Sequence, residues 1–265
     1  MDEVKIYTVT VGSKMHGLDN ESSDTDIRYI RAKTFFGLSD PFQNSNNKTS
    51  ISKEVDEESW ELRHFARLLT KGNPTCYEVI NSDIYEENKY TTLVKSLLPA
   101  SHNSNFILNA HLGYCDAQIT LLSLVHKKIG QGFPESSTLG ALVEQGELPE
   151  SKFIRVVKST VAGYRVLAQG RQLLETGNFC PKVKEYSPEL HKFLMDIKNC
   201  DASKITLSEV RSYSEDLEAK AKALKDFFHT LPEKARNKEP NYNKIRKIVM
   251  KLHEMVTKEQ ILCQA

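Results

Sequence analysis

No run of apolar residues in this 265-residue chain approaches the roughly 20 needed to cross a bilayer. The opening MDEVKIYTVT lacks the basic and apolar stretches of a signal peptide. No membrane partner and a cytoplasmic location are therefore expected. Cysteine is sparse and unpatterned. Cys76, Cys115, Cys180, Cys200 and Cys263 make five, none in C-x-x-C spacing, which argues against a zinc site or disulfide framework and for reduced thiols. His102, His111, His126 and His191 show no H-E-x-x-H or related ligand spacing. There is no G-x-x-x-x-G-K-[ST] loop and no G-x-G-x-x-G, which excludes the usual kinase and Rossmann dehydrogenase readings. An excess of one charge is also missing. Lys and Arg number 36 against 35 Asp and Glu, a net charge of +1, unlike a protein that coats nucleic acid. A local binding groove stays compatible with that balance.

What is present concentrates between Gly12 and Arg28, GSKMHGLDNESSDTDIR. A strand-like run with Val4, Ile6, Val9 and Val11 feeds a Gly12-Ser13 turn, Gly17 follows, and Ser23-Asp24-Thr25-Asp26 places two carboxylates two residues apart. On a strand, residues i and i+2 share a face, so Asp24 and Asp26 project side by side and Ile27 points the other way, into the core. Two bare carboxylates so close repel one another. A bound cation removes that cost, and Mg²⁺ suits oxygen ligands of this kind completed by substrate phosphates. Gly12 permits a tight turn and close backbone approach. If Ser13 opens a helix, its neighbouring N–H groups and its hydroxyl favour phosphate oxygens. The segment thus reads as a triphosphate site between a helix start and a carboxylate-bound Mg²⁺. His16 lies in the same turn and reads as a surface-loop residue or one that approaches phosphate.

Residues 1–90 read as mixed α/β, with strands at 4–11, 26–32 and about 50–56, an Asn/Ser-rich loop at Pro41–Ser50, and a helix over Trp60–Thr70 stopped by Gly72-Asn73-Pro74. From residue 91 the spacing becomes helical, over Thr91–Leu98, Ser104–Ile129, Lys152–Thr176, Pro188–Ile197, Leu207–Thr230 and Tyr242–Glu259. Gly130–Pro149 reads as a loop. No internal repeat is visible. The expected fold class is α+β: a small mixed-sheet domain over 1–90, then an α-helical domain over 91–265, with the active site in the cleft between them. Lys158 and Arg165 lie seven positions apart on one helix, a spacing that shares a face and could present two cations to a triphosphate. The densest basic stretch, Lys234 to Lys251, reads either as a solvated face or as a nucleic-acid backbone contact.

The Val11-Gly12-Ser13 turn and Asp24-Thr25-Asp26 resemble the hG[GS]…[DE]h[DE] signature of the DNA polymerase β superfamily of nucleotidyltransferases. The longer form Gly12, Ser13, Gly17, Ser23, Asp24, Asp26, Arg28 is similar to the predicted nucleotidyltransferases of the RNA repair pathway in bacteria and phages. Two further blocks carry the narrower resemblance: Glu61–Leu69 with Lys71-Gly72-Asn73-Pro74-Thr75 and Glu78, and Lys158, Tyr164–Leu167, Gly170, Leu173-Leu174 and Thr176-Gly177. The chain departs from the family at Tyr29-Ile30, where Gly-Val is usual, and at Ala162, where relatives carry a His.

The resemblance implies a Mg²⁺-dependent enzyme (Mn²⁺ possible) that transfers a nucleoside monophosphate from an NTP such as ATP to a hydroxyl, releasing pyrophosphate. Asp24 and Asp26 would be catalytic and metal-holding, and Gly12, Ser13, Ser23, Arg28, Lys158 and Arg165 nucleotide-binding. The superfamily uses a third acid, on a neighbouring strand, either in the metal site or to activate the attacking hydroxyl. Ile51–Asp56 alternates as a half-buried strand, and Glu54, Asp56, Glu57, Glu58 and Glu61 are the candidates. Likeness to the family favours Asp56, with Glu58 in reserve, while Glu61 suits a helix N-terminus. The family name points to an RNA end, such as that of a cleaved tRNA, as acceptor. Transfer to a protein or small molecule, and nucleotide sensing or phage–host interaction without turnover, are the competing readings. Nothing in the sequence fixes the oligomeric state.

Overall fold

The computed structural model describes residues 3–20, 23–35, 48–51, 55–129 and 131–264. The expected loop at Pro41–Ser50 lies mostly outside them, as does Glu54. The chain divides into two compact units, one of residues 1–107 with 237–265 and the other of residues 108–236.

The first unit is built on five strands: β1 (Glu3–Val11), β2 (Thr25–Lys33), β3 (Lys48–Ile51), β4 (Val55–Glu61) and β5 (Ile84–Glu86), in the order β3-β4-β2-β1-β5. β1 is rich in Val, Ile, Thr and Tyr, which favour a pleated, half-buried surface. It runs antiparallel to both β2 and β5, whereas β2 and β4 are parallel. The sheet is therefore mixed, as expected. The single strand anticipated near 50–56 is two, β3 and β4, paired antiparallel. β4 also runs past Trp60, which the sequence pattern assigned to a helix.

That helix, α2 (Leu62–Thr70), starts at Leu62 because Glu61 is its N-cap and accepts from His64 N–H at 3.3 Å. Leu62, Phe65, Ala66 and Leu69 form its buried stripe. Gly72, at φ +71°, ends the turn where an added β-carbon would meet Ile107 N at 2.5 Å. Asn73 then caps α3 (Pro74–Asn81), with Pro at the first helical turn. Short helices α4 (Thr91–Lys95) and α5 (Leu97–Ser101) follow, and α6 (Ser104–Leu124) leads on into the second unit.

The terminal helix, α13 (Tyr242–Gln264), returns to the first unit. Ile245, Ile248, Leu252 and Val256 are buried. His253 Nδ1 donates to Lys33 O at 2.7 Å, and Thr257 Oγ1 accepts from Phe35 N at 2.9 Å. Tyr90 hydrogen-bonds Glu259. This differs from the division at residue 90 expected from composition: helical spacing announces a helix but not the surface that covers its apolar stripe.

The second unit is helical: a π-helical turn over Val125–Ile129, then α7 (Leu139–Glu144), α8 (Glu150–Thr176), α9 (Val183–Tyr186), α10 (Pro188–Asn199), α11 (Leu207–Thr230) and α12 (Glu233–Arg236). α7 lies inside the expected loop at Gly130–Pro149. Thr206 and Glu209 form a reciprocal capping box at the start of α11. Among the described residues no helix is long and apolar enough to cross a membrane.

Candidate active site

Strand register assembles the acids. β2 is the central strand. Its Asp26 pairs with Val11 of β1 on one side and with Asp56 of β4 on the other. Asp24 stands just before β2 and is exposed, while Asp26 is half-buried. The side chain of Asp56 lies outside those described, but its backbone is the parallel neighbour of Asp26.

At the end of β1 the chain turns into the five-residue helix α1 (Gly12–His16), with Gly12 at φ +71°. A β-carbon on Gly12 would lie 1.9 Å from Asp26 Oδ2. The glycine is thus required twice, for its left-handed backbone and for the carboxylate that occupies the place of a side chain. Ser13, half-buried, is the second residue of α1. The helix closes at Gly17 (φ +63°), whose N–H reaches Lys14 O, and Leu18 N–H reaches Ser13 O at 2.9 Å.

Side chains hold α1 from below. Met15 and His16 are buried. Ser82 donates to Met15 Sδ, and His16 Nε2 stands 3.7 Å from Glu78 Oε1 of α3. The surface-loop reading of His16 is therefore corrected. His16 is an internal residue, because α1 lays one face on α3, and an isolated turn motif gives no sign of that. Lys14 Nζ reaches Thr25 Oγ1 and ties α1 to the first residue of β2. Ser23 closes the turn before the acids. Its Oγ accepts from Asn20 N at 2.9 Å and lies 3.0 Å from Asn20 Oδ1.

Arg28 and Glu58 are partners in the parallel register, and their side chains form an ion pair, Nε to Oε2 3.1 Å. Arg28 Nη1 also donates to Ile27 O at 3.2 Å. The reserve candidate for the third acid is thus held by a guanidinium, and Glu61 is taken up by the α2 cap and by Arg63, at 3.1 Å. The opposite sheet face carries its own charges. Arg31 donates to Ser59 Oγ at 2.8 Å and pairs with Glu3, and Lys5 pairs with Glu57 at 3.9 Å.

Lys158 and Arg165 belong to the second unit, on α8. Lys158 is exposed. Arg165 is buried, with Nη1 donating to Gln169 Oε1 at 3.0 Å. Ala162, between them, is half-buried. Sequence reasoning missed the His16–Glu78 and Arg28–Glu58 contacts. Both join residues whose proximity depends on strand and helix packing, and the second could have been found only from the parallel register.

The donors at the end of β2 fit a hard divalent cation. They are carboxylates at positions 24 and 26, with Asp56 in register beside Asp26 and a cradle at Gly12 into which the Asp26 carboxylate fits. Among the described residues, whose side chains do not include that of Asp56, no group of three or more His, Cys, Asp or Glu side chains converges.

The family model for RlaP, the RNA repair pathway DNA polymerase beta family, matches residues 2–257. The chain belongs to this family. The family is described as one of DNA polymerase beta-type proteins of the RNA repair pathway. Of its relatives, the uncharacterized protein YcgL of Bacillus subtilis (strain 168) is 31% identical over 90 residues, which cover 33% of this chain and 34% of YcgL. A nucleotidyltransferase-like protein from Exiguobacterium sibiricum 255-15 is 12% identical in its solved structure, with a TM-score of 0.36 over 83% of this chain and 69% of that one.

Proposed function

We propose that this RlaP-family protein transfers a nucleoside monophosphate from an NTP to the hydroxyl of an RNA end. Asp24, Asp26 and Asp56 would hold Mg²⁺, or Mn²⁺ in its place. The observation that carries the reading is the register Val11–Asp26–Asp56, with Gly12 left without a side chain beneath the Asp26 carboxylate.

The acceptor oxygen attacks the α-phosphorus. A new P–O bond forms as the bond to the β-phosphate bridging oxygen breaks, and pyrophosphate departs. A bound divalent ion supplies charge neutralisation at the α-phosphate and lowers the pKa of the attacking hydroxyl. Gly12 and Ser13 offer backbone N–H groups and one hydroxyl to the triphosphate. Because α1 is short, these local donors matter more than a helix dipole. The Asp56 carboxylate takes the hydroxyl proton or completes the metal site. Glu58 is the weaker choice, since its carboxylate is already taken up by the ion pair with Arg28. Arg28 orders the strand pair beside the acids. Ser23 shapes the turn that presents Asp24. Catalysis of this kind is mostly positioning and charge neutralisation.

The test is incubation with each α-labelled NTP and Mg²⁺, with a tRNA fragment, a protein mixture or no acceptor offered separately. Label on the RNA 3′ end with release of pyrophosphate is expected. Label on protein alone would overturn the RNA reading, and NTP binding without pyrophosphate release would overturn transfer altogether.

A further inference from the structure

The short helix α1, which carries Gly12 and Ser13, does not hold its own place. It has five residues, and a helix that short is unfavourable alone. A left-handed glycine bounds it at each end, Gly12 at φ +71° and Gly17 at φ +63°, and each adds backbone freedom to be lost. Yet its position fixes an acid. Asp26 Oδ2 fills the space of a Gly12 side chain, so a shift of the turn moves that carboxylate or opens a gap beneath it.

What holds α1 is the side of α3 that faces it. His16 Nε2 lies 3.7 Å from Glu78 Oε1, and the two side chains are 6% and 13% exposed. Little water reaches either group, so their attraction is only weakly screened. One residue earlier, Met15 accepts a hydrogen bond from Ser82 at the end of α3. Met15 is a flexible thioether that suits many packings, whereas imidazole against carboxylate is a directional contact. α3 is in turn tied to β1: Tyr7 Oη donates to Ile80 O at 3.0 Å, and Thr10 N donates to Asp83 O at 3.3 Å. A continuous path thus runs from β1 through α3, Glu78 and His16 to Gly12 and Asp26.

We propose that His16, held by Glu78, is a positioning residue for the nucleotide site: it fixes α1 so that Gly12 and Ser13 meet the triphosphate and Asp26 meets the divalent ion. The inference rests on the reading of those residues as the nucleotide site. His16 acts through the turn and not on phosphate, because its ring is buried against α3. Without the contact to Glu78, α1 is displaced most of the time and nucleotide must draw it back. Apparent affinity then falls by the fraction of α1 in place, while turnover at saturation is kept.

The experiment titrates the full chain with Mn²⁺ and each of ATP, GTP, CTP and UTP by calorimetry, without acceptor. It continues with the nucleotide that wild type binds most tightly. His16→Leu, similar in volume but unable to hydrogen-bond, should raise the dissociation constant about tenfold, as if α1 were in place about a tenth of the time. His16→Gln, whose amide nitrogen takes the place of Nε2, should stay within about threefold of wild type. Glu78→Leu should match His16→Leu. The double variant should lose no more than either single, because both act through one contact; independent losses would multiply to about 100-fold.

Hydrogen exchange without nucleotide reads the same opening. The N–H groups of Gly17 and Leu18, bonded to Lys14 O and Ser13 O, should exchange faster in His16→Leu, and those of β1 should not. In the transfer assay KM should rise about tenfold while kcat stays within about threefold. The control Ile248→Val, in the core under α13, should lower the melting midpoint and leave nucleotide affinity as in wild type. Unchanged affinity in His16→Leu, a multiplied loss in the double variant, no rescue by His16→Gln, or unaltered exchange at Gly17 and Leu18 would each overturn the positioning role. So would a fall in kcat at unchanged KM, or an equal loss of affinity in Ile248→Val. All of these presume a wild type that binds nucleotide. Wild type that binds none of the four Mn²⁺–nucleotide pairs would instead overturn the reading of the site, and the positioning role with it.

Discussion

The carboxylate of Asp26 lies over Gly12, its Oδ2 1.9 Å from the point a β-carbon on that glycine would occupy. Gly12→Ala must displace the acid or the turn, and it also strains a backbone at φ +71°. We expect nucleotide transfer to fall about 100-fold or more, the usual scale for ångström displacements at a reacting centre, while far-UV circular dichroism stays near wild type. Activity within a few-fold of wild type would show that the Asp26 position is not critical.

Asp24, just before β2, and the register partners Asp26 and Asp56 should behave alike under neutralisation. Asp24→Asn, Asp26→Asn and Asp56→Asn are each expected to reduce transfer by at least about 100-fold and to leave the fold intact. Steady-state kinetics with saturating Mg²⁺, compared with melting curves of the same variants, tests this. Near-wild-type turnover in Asp56→Asn would move the third acid elsewhere.

Glu58 gives the companion test. Its carboxylate is paired with Arg28 at 3.1 Å, so Glu58→Gln should keep a hydrogen bond to the guanidinium and hold activity within about tenfold of wild type. A loss as deep as that of Asp26→Asn would make Glu58 the third acid.

Low pH should weaken the first unit through His102. Burial, with Lys238 adding to it, lowers its pKa from 6.5 to about 4. Its folded pKa lies below its unfolded one, so as pH falls the unfolded chain takes up the proton first. The stability present above pH 6.5 is lost progressively toward about pH 4. Burial also lowers the pKa of His253, which acts in the same direction. Melting midpoints measured between pH 7.5 and 4.5 should fall less steeply in His102→Gln than in wild type.

The terminal helix should be part of the first unit's core. Leu252 is fully buried, and Leu252→Ala is expected to cost about 2–5 kcal/mol, read by urea unfolding. A cost near zero would detach α13 from that core.

The placing of Asp26 and Ile27 was legible because a strand's two-residue period is local: neighbours point to opposite faces, and Ile27 is buried where Asp26 is half-buried, whereas Asp24 stands just outside β2. The buried stripe of α2 was legible for the same reason. Trp60 was misassigned because aromatic residues suit strand and helix start alike, and what decided between them was Glu61 folding back to cap His64 N–H. Strand β5, three residues long, is too short to show any period.

The sequence by itself determined the Gly12-Ser13 turn, the carboxylate pair, the mixed strand-then-helix order and the family, since each is written in neighbouring residues or in motifs matched along nearly the whole chain. Only the tertiary structure decided that Asp56 stands beside Asp26, that Arg28 holds Glu58, that His16 is internal and that α13 returns to cover the first unit. Those four relationships join residues distant in the chain. Strand register and the burial of apolar stripes set them, and both are properties of the packed molecule rather than of any one segment.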